Sequence, residues 1–228
     1  MVRDIMAIVA PTAQLHKTEI ILRDSFLTVE PWISSHTEPP HPIIFSTASV
    51  QPYKGVHVTL KAFSHVLKKY PNAELRIAGL GIKESKYRNV GYVNYLLKLI
   101  NEYNIKGNVT FLGNLDEHGL ISEMRNADVF VNSSFVESYC LALAEALSFG
   151  MPCVASYTSA LTELIQDEET GLFFPIGDDM VCASRIIRLL GDSELRKYLA
   201  NNASATFREK IDPKRIVRQQ VSIYISMI

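Results

Sequence analysis

A chain of 228 residues, 47% hydrophobic and 21% charged, has the length and balance to bury one substantial core, as a single large domain or one domain with an attached remnant. Its formal net charge of −1 gives no global attraction to DNA, RNA or an anionic membrane. No apolar run reaches the roughly 20 residues that span a bilayer, and the N-terminus lacks the basic, apolar and small-residue order of a signal peptide. Cys140, Cys153 and Cys182 are odd in number, widely spaced and set among apolar neighbours. They read as reduced core thiols of a cytoplasmic protein, not as a disulfide framework or zinc site. A local basic patch and a peripheral membrane contact stay open.

Residues 1–42 differ from the rest. They hold a short apolar run over 1–11, a short helical turn over 19–27, and T-E-P-P-H-P at 37–42. Prolines at that density suit neither a helix nor a central strand, so 37–42 reads as a linker. The segment is too poor in aliphatic runs to bury a core of its own.

From residue 43 the pattern becomes regular. Residues 43–48 (I-I-F-S-T-A) read as a buried strand. Residues 56–69 carry Val56, Leu60, Phe63 and Leu67 at helical spacing. A strand over 73–78 runs into Gly79 and Gly81. A helix over 93–103 has Leu96, Leu97, Ile100 and Tyr103 along one side. A strand at 108–112, a helix at 117–126 and a very short strand at 129–131 follow. The pattern continues with a helix at 141–149 closed by Gly150, a strand at 152–155, a short helix at 159–166 and a strand at 172–174. Three helices close the chain, at 178–190, 193–209 and 213–225, with Asp192 or Ser193 capping the second and Asp212-Pro213 starting the third. Short apolar strands alternating with helices predict an α/β, Rossmann-like, doubly wound parallel sheet of about six strands, covered on both faces. Ligands of such sheets bind beyond the carboxyl ends of the strands.

Three of those loops could carry chemistry. The first, residues 49–55 (S-V-Q-P-Y-K-G), presents Lys54 at the mouth of a helix, where it could reach a phosphate or simply be solvated in a turn. The second holds Gly79 and Gly81, too short a spacing for a full dinucleotide fingerprint. The third, residues 132–156, passes from a strand through Ser133, Ser134, Glu137 and Ser138 into a helix starting near Tyr139 or Cys140. The unpaired amides and positive dipole end of that helix would seat a diphosphate. Glu145 follows Glu137 by eight residues. Buried among Leu141, Ala142, Ala144 and Ala146, its carboxylate needs a partner. A ribose diol meets that need, and so would a nearby Lys or Arg.

The 132–156 segment resembles the signature of family 4 retaining glycosyltransferases of the GT-B fold. Glu137, Glu145-Ala146, Gly150-Met151-Pro152 and the small-residue strand from Cys153 to Ser156 carry the resemblance. It extends to Lys54-Gly55, Gly79 and Gly81, the strand ending in Phe111-Leu112-Gly113, Ala127-Asp128-Val129, Glu163 and Gly171, and covers roughly residues 43–198. Three positions depart from the pattern. Ser49 stands in place of an arginine, Cys140 in place of a glycine ahead of the helix, and Ser159-Ala160 in place of a glycine pair. Cys140 would be strained there if the site needs a positive φ.

The resemblance implies roles. Lys54 would neutralise the diphosphate, with Gly55, Gly79 and Gly81 shaping the site. Ser138, Tyr139 and the amides near Cys140 and Leu141 would lie against its oxygens. Glu145 would hold the ribose, the loop after Gly113 would lie near the base, and Glu137, as the catalytic-site carboxylate, would contact the donor sugar. The substrate would be a UDP-, GDP- or ADP-sugar, with no cofactor and no metal. The acceptor would be a saccharide or a lipid-linked sugar, reached through an N-terminal domain. Residues 1–42 would be a remnant of that domain and its linker, 43–212 the donor-binding domain, and 213–228 a crossover helix. The expectation is a hexosyltransferase fragment, inactive alone, cytoplasmic, and membrane-associated at most through the full-length protein. Ile216, Val217, Val221, Tyr224 and Ile225 of the last helix should then be under-covered. The alternative is a truncated, non-catalytic module that pairs with another chain. A dehydrogenase-type Rossmann domain fits poorly, because the first strand–helix turn lacks its glycines.

Overall fold

The structure is a computed structural model that describes residues 6, 8–33, 38–79 and 90–227. Gly81 and Thr37 fall outside the described residues. The strand runs become β1 (Ile43–Thr47), β2 (Glu74–Ala78), β3 (Val109–Gly113), β4 (Val129–Asn132), β5 (Cys153–Ser156) and β6 (Leu172–Phe174). All pair in parallel in the order β3-β2-β1-β4-β5-β6. The strand order reverses between β1 and β4, the place where doubly wound sheets bind their ligands.

Two apolar layers sandwich the sheet, because successive strand residues point to opposite faces. Ile44, Val129 and Val131 join one layer, with Val56, Leu60 and Phe63 from the helix Val56–Lys69 and Ile186 and Leu189 from the helix Asp179–Gly191. Phe45 and Phe130 meet edge-on in the other layer, against the helices Leu141–Phe149 and Ser193–Lys210. Each fully buried Phe removes enough apolar surface to contribute about 1.5–3 kcal/mol.

In chain order the helices are α1 (Asp24–Thr28), α2 (Val56–Lys69), α3 (Val90–Glu102), α4 (Glu117–Asn126), α5 (Leu141–Phe149), α6 (Asp179–Gly191), α7 (Ser193–Lys210) and α8 (Pro213–Ile225). Asp192 caps α7 through the Leu195 amide, and Asp212 caps α8 through that of Lys214. Among the described residues no helix is long and apolar enough to cross a membrane.

Three local expectations need correction. The expected helix over 159–166 is only a 3₁₀ turn, Leu161–Glu163. The Thr162 hydroxyl bonds the local backbone instead, at the Ser159 carbonyl. On α3 the buried side is Val93, Leu96, Leu99 and Ile100, whereas Leu97 and Tyr103 are exposed. Leu97 lies one helical step, about 100°, from Leu96, so both cannot face the sheet. On α8, Ile216 is buried, while Val217, Val221, Tyr224 and Ile225 are exposed as expected.

The stretch from Leu22 to Trp32 packs into the domain. Leu22, Phe26 and Trp32 are buried in the α5–α7 layer. The Trp32 amide donates to the Phe149 carbonyl (2.8 Å), its indole N–H to the Ala127 carbonyl (2.9 Å), and Ser148 to the Phe26 carbonyl (3.1 Å). Arg208 closes the set on the Val29 carbonyl at 2.8 Å.

Candidate functional site

The loops after β1 and β4 interlock at the switch point. After β1 the chain makes a 3₁₀ turn, Pro52–Lys54, and enters α2 through Gly55 at φ 69°. A Cβ on Gly55 would lie 1.9 Å from the Ser133 carbonyl oxygen, so the close approach of the two loops requires glycine. Ser133 donates to the Gly55 carbonyl (2.8 Å) and shares a hydroxyl contact with Thr59 (2.7 Å), while the Phe135 amide donates to the Tyr53 carbonyl (2.7 Å).

That stitching brings Lys54 to Glu137. Lys54 Nζ lies 2.8 Å from Glu137 Oε1, which also accepts from Ser134 Oγ at 2.7 Å. Ser134 is held in turn by Asn132 Oδ1 on its amide (3.1 Å) and by Ser156 on its carbonyl. The ammonium, the carboxylate and the hydroxyls form one polar net beside the start of α5.

Cys140 is the N-cap of α5, with φ 73° and ψ 78°, the left-handed region where a side chain is strained. The strain expected of a cysteine at this position is present. Its thiol accepts from Asn132 Nδ2 at 3.2 Å. Burial, then the Glu137 charge, pushes the thiol pKa up to about 12, so it stays protonated and a poor nucleophile. The first helical bond runs from the Ala144 amide to the Cys140 carbonyl (3.1 Å), so the amides of Leu141 and Ala142 precede the ladder. Ser138 is exposed, and Leu141 is exposed too, not part of a wall around Glu145. The Tyr139 hydroxyl is buried without a partner among the described residues, and burial pushes its pKa up to about 12.

Glu145 has the partner its burial demands, and it is an arginine. Arg23 Nε donates to Oε1 and Arg23 Nη2 to Oε2, both at 2.7 Å, in a two-pronged pair across 122 residues of chain. The Glu145 side chain is only 4% exposed and that of Arg23 is 42% exposed. The bond to Glu145 holds the guanidinium pKa above its usual value. Beside it, Ser25 Oγ donates to Glu117 at the start of α4. No spacing or motif ties Arg23 to Glu145 ahead of the structure. Its only mark is one cation inside the run I-I-L-R-D-S-F.

The remaining expected positions sit at the same edge of the sheet. Gly79 has φ 129°, and its amide donates to the carbonyl of Gly113, itself at φ 71°, so the β2 and β3 loops are tied at 2.8 Å. His57 stacks on Phe135 at 5.5 Å and meets the Tyr92 hydroxyl at 2.8 Å; desolvation lowers its pKa. The three cysteines are free thiols. No group of three or more His, Cys, Asp and Glu among the described residues could hold a metal ion.

The chain and its fold have relatives among known proteins. The family described as Glycosyl transferases group 1 matches residues 30–206. The chain is 30% identical over 168 residues to the phosphatidyl-myo-inositol mannosyltransferase of Mycobacterium leprae, covering 73% of this chain and 42% of that protein. It is 27% identical over 186 residues to the N-acetyl-alpha-D-glucosaminyl L-malate synthase of Bacillus anthracis, covering 82% and 46%. The chain thus spans less than half the length of these two relatives. The fold matches sucrose-phosphate synthase of Thermosynechococcus elongatus with a TM-score of 0.81 at 21% identity, over 99% of this chain and 56% of that one. It also matches Anabaena HepE in complex with UDP and glucose, with a TM-score of 0.72 at 22% identity over 82% and 48%. With a doubly wound sheet of GT-B type and a family match over most of its length, the chain belongs to the group 1 glycosyl transferases.

Proposed function

We propose that this chain is the donor-binding, C-terminal-type half of a retaining GT-B transferase of family 4, and that it takes a nucleoside-diphosphate sugar at the β1–β4 switch point. The observation that carries the reading is the meeting of Lys54 and Glu137, from two different loops, 2.8 Å apart beside the first amides of α5. A cation and a helix N-terminus facing one space suit a diphosphate. Lys54 and the Leu141 and Ala142 amides take its charge without a metal. Glu137 turns to the hydroxyls of the donor sugar, and Glu145 accepts from the ribose diol. Gly79 and Gly113 shape the loops near the base. UDP and glucose in Anabaena HepE, and the mannosyl- and glucosaminyl-transferring names of the relatives, support a hexosyl donor. Transfer itself, to a saccharide or lipid-linked acceptor in polysaccharide or glycolipid synthesis, belongs to a protein of the relatives' full length. The Arg23 pair on Glu145 and the strained Cys140 are what a second reading, a non-catalytic module with a weakened donor site, would rest on.

Calorimetric titration with UDP, GDP and ADP tests the reading. One of the three should bind, and Glu145→Ala should weaken it by about 1–3 kcal/mol, the scale for losing hydrogen bonds to a charged group. Lys54→Ala should weaken the diphosphate more than the nucleoside. No binding of any of the three at millimolar concentration favours the non-catalytic module.

A further inference from the structure

The carboxylate assigned to the ribose is already occupied. Both oxygens of Glu145 accept from one guanidinium, through Nε and Nη2 at 2.7 Å. With 4% of the glutamate side chain exposed, Arg23 lies between that carboxylate and solvent. A vicinal diol that donates to the same two oxygens takes the place of at least one arm of the fork.

The geometry lets the arginine give way without moving the chain that carries it. Phe26 is fully buried, and its carbonyl is held by Ser148. Ser25 is tied to Glu117, on the helix that follows the β3 loop. Trp32 is bonded to the Phe149 and Ala127 carbonyls. The backbone that follows Arg23 is therefore pinned to α4 and α5. The Arg23 side chain itself is 42% exposed, with its guanidinium 5.1 Å from the Phe26 ring, and has open solvent to swing into. The pinning contacts reach α5, the helix that carries Glu145, and the start of α4, the helix that follows the loop assigned to the base.

We propose that Arg23 is a displaceable cover on Glu145: the free protein is held closed by the fork, and a ribonucleotide binds by exchanging its ribose diol for the guanidinium. The proposal rests on the assignment of Glu145 to the ribose. The closed pair lowers the fraction of protein ready to grip the diol, and apparent affinity falls by that fraction. A ligand lacking one ribose hydroxyl gains less from opening the fork and suffers less from its closure. Arg23 thus sets how strongly the site tells a ribonucleotide from a deoxyribonucleotide.

The test is the ratio of affinities for UDP and 2′-deoxy-UDP (or the GDP or ADP pair, whichever binds), measured by calorimetry. The ratio cancels the general attraction of Arg23 for a diphosphate, because both ligands carry the same charge. Arg23→Gln should raise the ribo-to-deoxy ratio by about 10-fold if the fork is closed about nine-tenths of the time. Arg23→Lys, a point charge that holds one oxygen, should fall between and serves if the glutamine variant does not fold. A ratio unchanged or lowered in both variants overturns the cover, and a lowered one would make Arg23 a support for Glu145. Glu145→Ala separates the two levels of the argument. If it leaves the wild-type affinity and ratio untouched, the ribose assignment falls and the cover with it. If it removes the preference while Arg23→Gln and Arg23→Lys fail to raise it, only the cover falls.

Discussion

Glu137 and Glu145 sit eight residues apart, and both are buried carboxylates facing a single cation, yet their surroundings are built differently. Glu137 belongs to a polar net whose members come from two strand-end loops: Lys54, Ser134, Asn132 and Ser156. The net is held in place by backbone, above all by Gly55 lying against Ser133. Glu145 sits on a helix among Ala144, Ala146 and the apolar layer of Leu143 and Leu147, and its carboxylate accepts from the two arms of one arginine. A charge in a hydroxyl-rich net has other donors to turn to when a ligand arrives. A charge in an apolar layer can only exchange one partner for another.

The largest break in that comparison should come at Gly55. Gly55→Ala puts a Cβ onto the Ser133 carbonyl and forces alanine to φ 69°. Strain and overpacking together should cost on the order of 3 kcal/mol. Because the loops after β1 and β4 would part, Lys54 should lose Glu137 as well. Denaturant unfolding with a loss under 1 kcal/mol would show that backbone contact does not hold the Glu137 side together.

The Arg23 pair sharpens the comparison through an asymmetry. Arg23→Ala leaves a carboxylate set among apolar side chains, reached by water only where the guanidinium had covered it, whereas Glu145→Ala leaves a half-exposed guanidinium that can turn to water. Breaking a buried pair costs about 3–5 kcal/mol, and solvent at the arginine end reduces this to about 2 kcal/mol for Arg23→Ala. Glu145→Ala should cost about 1 kcal/mol, because no buried charge is stranded. Equal losses in the two variants, measured by the same unfolding experiment, would mean that the pair behaves as a surface ion pair.

How far the site was legible follows the same division. The strands, the helix–sheet alternation and the Glu137-to-Glu145 spacing are local patterns, and the periodicity of apolar residues carries them. Val56–Lys69, Glu117–Asn126 and Leu172–Phe174 appear with the bounds read from sequence. The Lys54–Glu137 contact spans 83 residues, but both members lie at the ends of adjacent parallel strands, so topology brings them together. Arg23 has no such route. It reaches Glu145 from a segment outside the repeating strand–helix pattern, and only its burial demand, a carboxylate needing a cation, pointed to some arginine or lysine. Leu97 and Tyr103 failed for simpler reasons: Leu97 is one step off the sheet-facing stripe yet looks apolar in sequence, and Tyr103 keeps the stripe's spacing but falls past the end of the helix at Glu102.

The smallest expected effect is at Cys140, between the two glutamates, where backbone and side chain disagree. A left-handed residue without a glycine's freedom costs about 1–2 kcal/mol, and Cys140 holds that conformation with φ 73°. Replacing cysteine removes the thiol that Asn132 bonds, so the wild type is a poor reference for the strain alone. Cys140→Ala and Cys140→Gly both remove the thiol and differ only in the methyl group and the backbone's freedom. Inside an ordinary helix, alanine is the more stable of the two by about 1 kcal/mol. Here the order should reverse, with glycine ahead by about 1 kcal/mol. The same variant brings the Leu141 and Ala142 amides nearer to an unstrained turn, so nucleoside-diphosphate affinity should be higher in Cys140→Gly than in Cys140→Ala. If alanine proves the more stable, the positive φ is not a property of the folded chain, and the amides at the start of α5 point elsewhere than at the space beside Lys54 and Glu137.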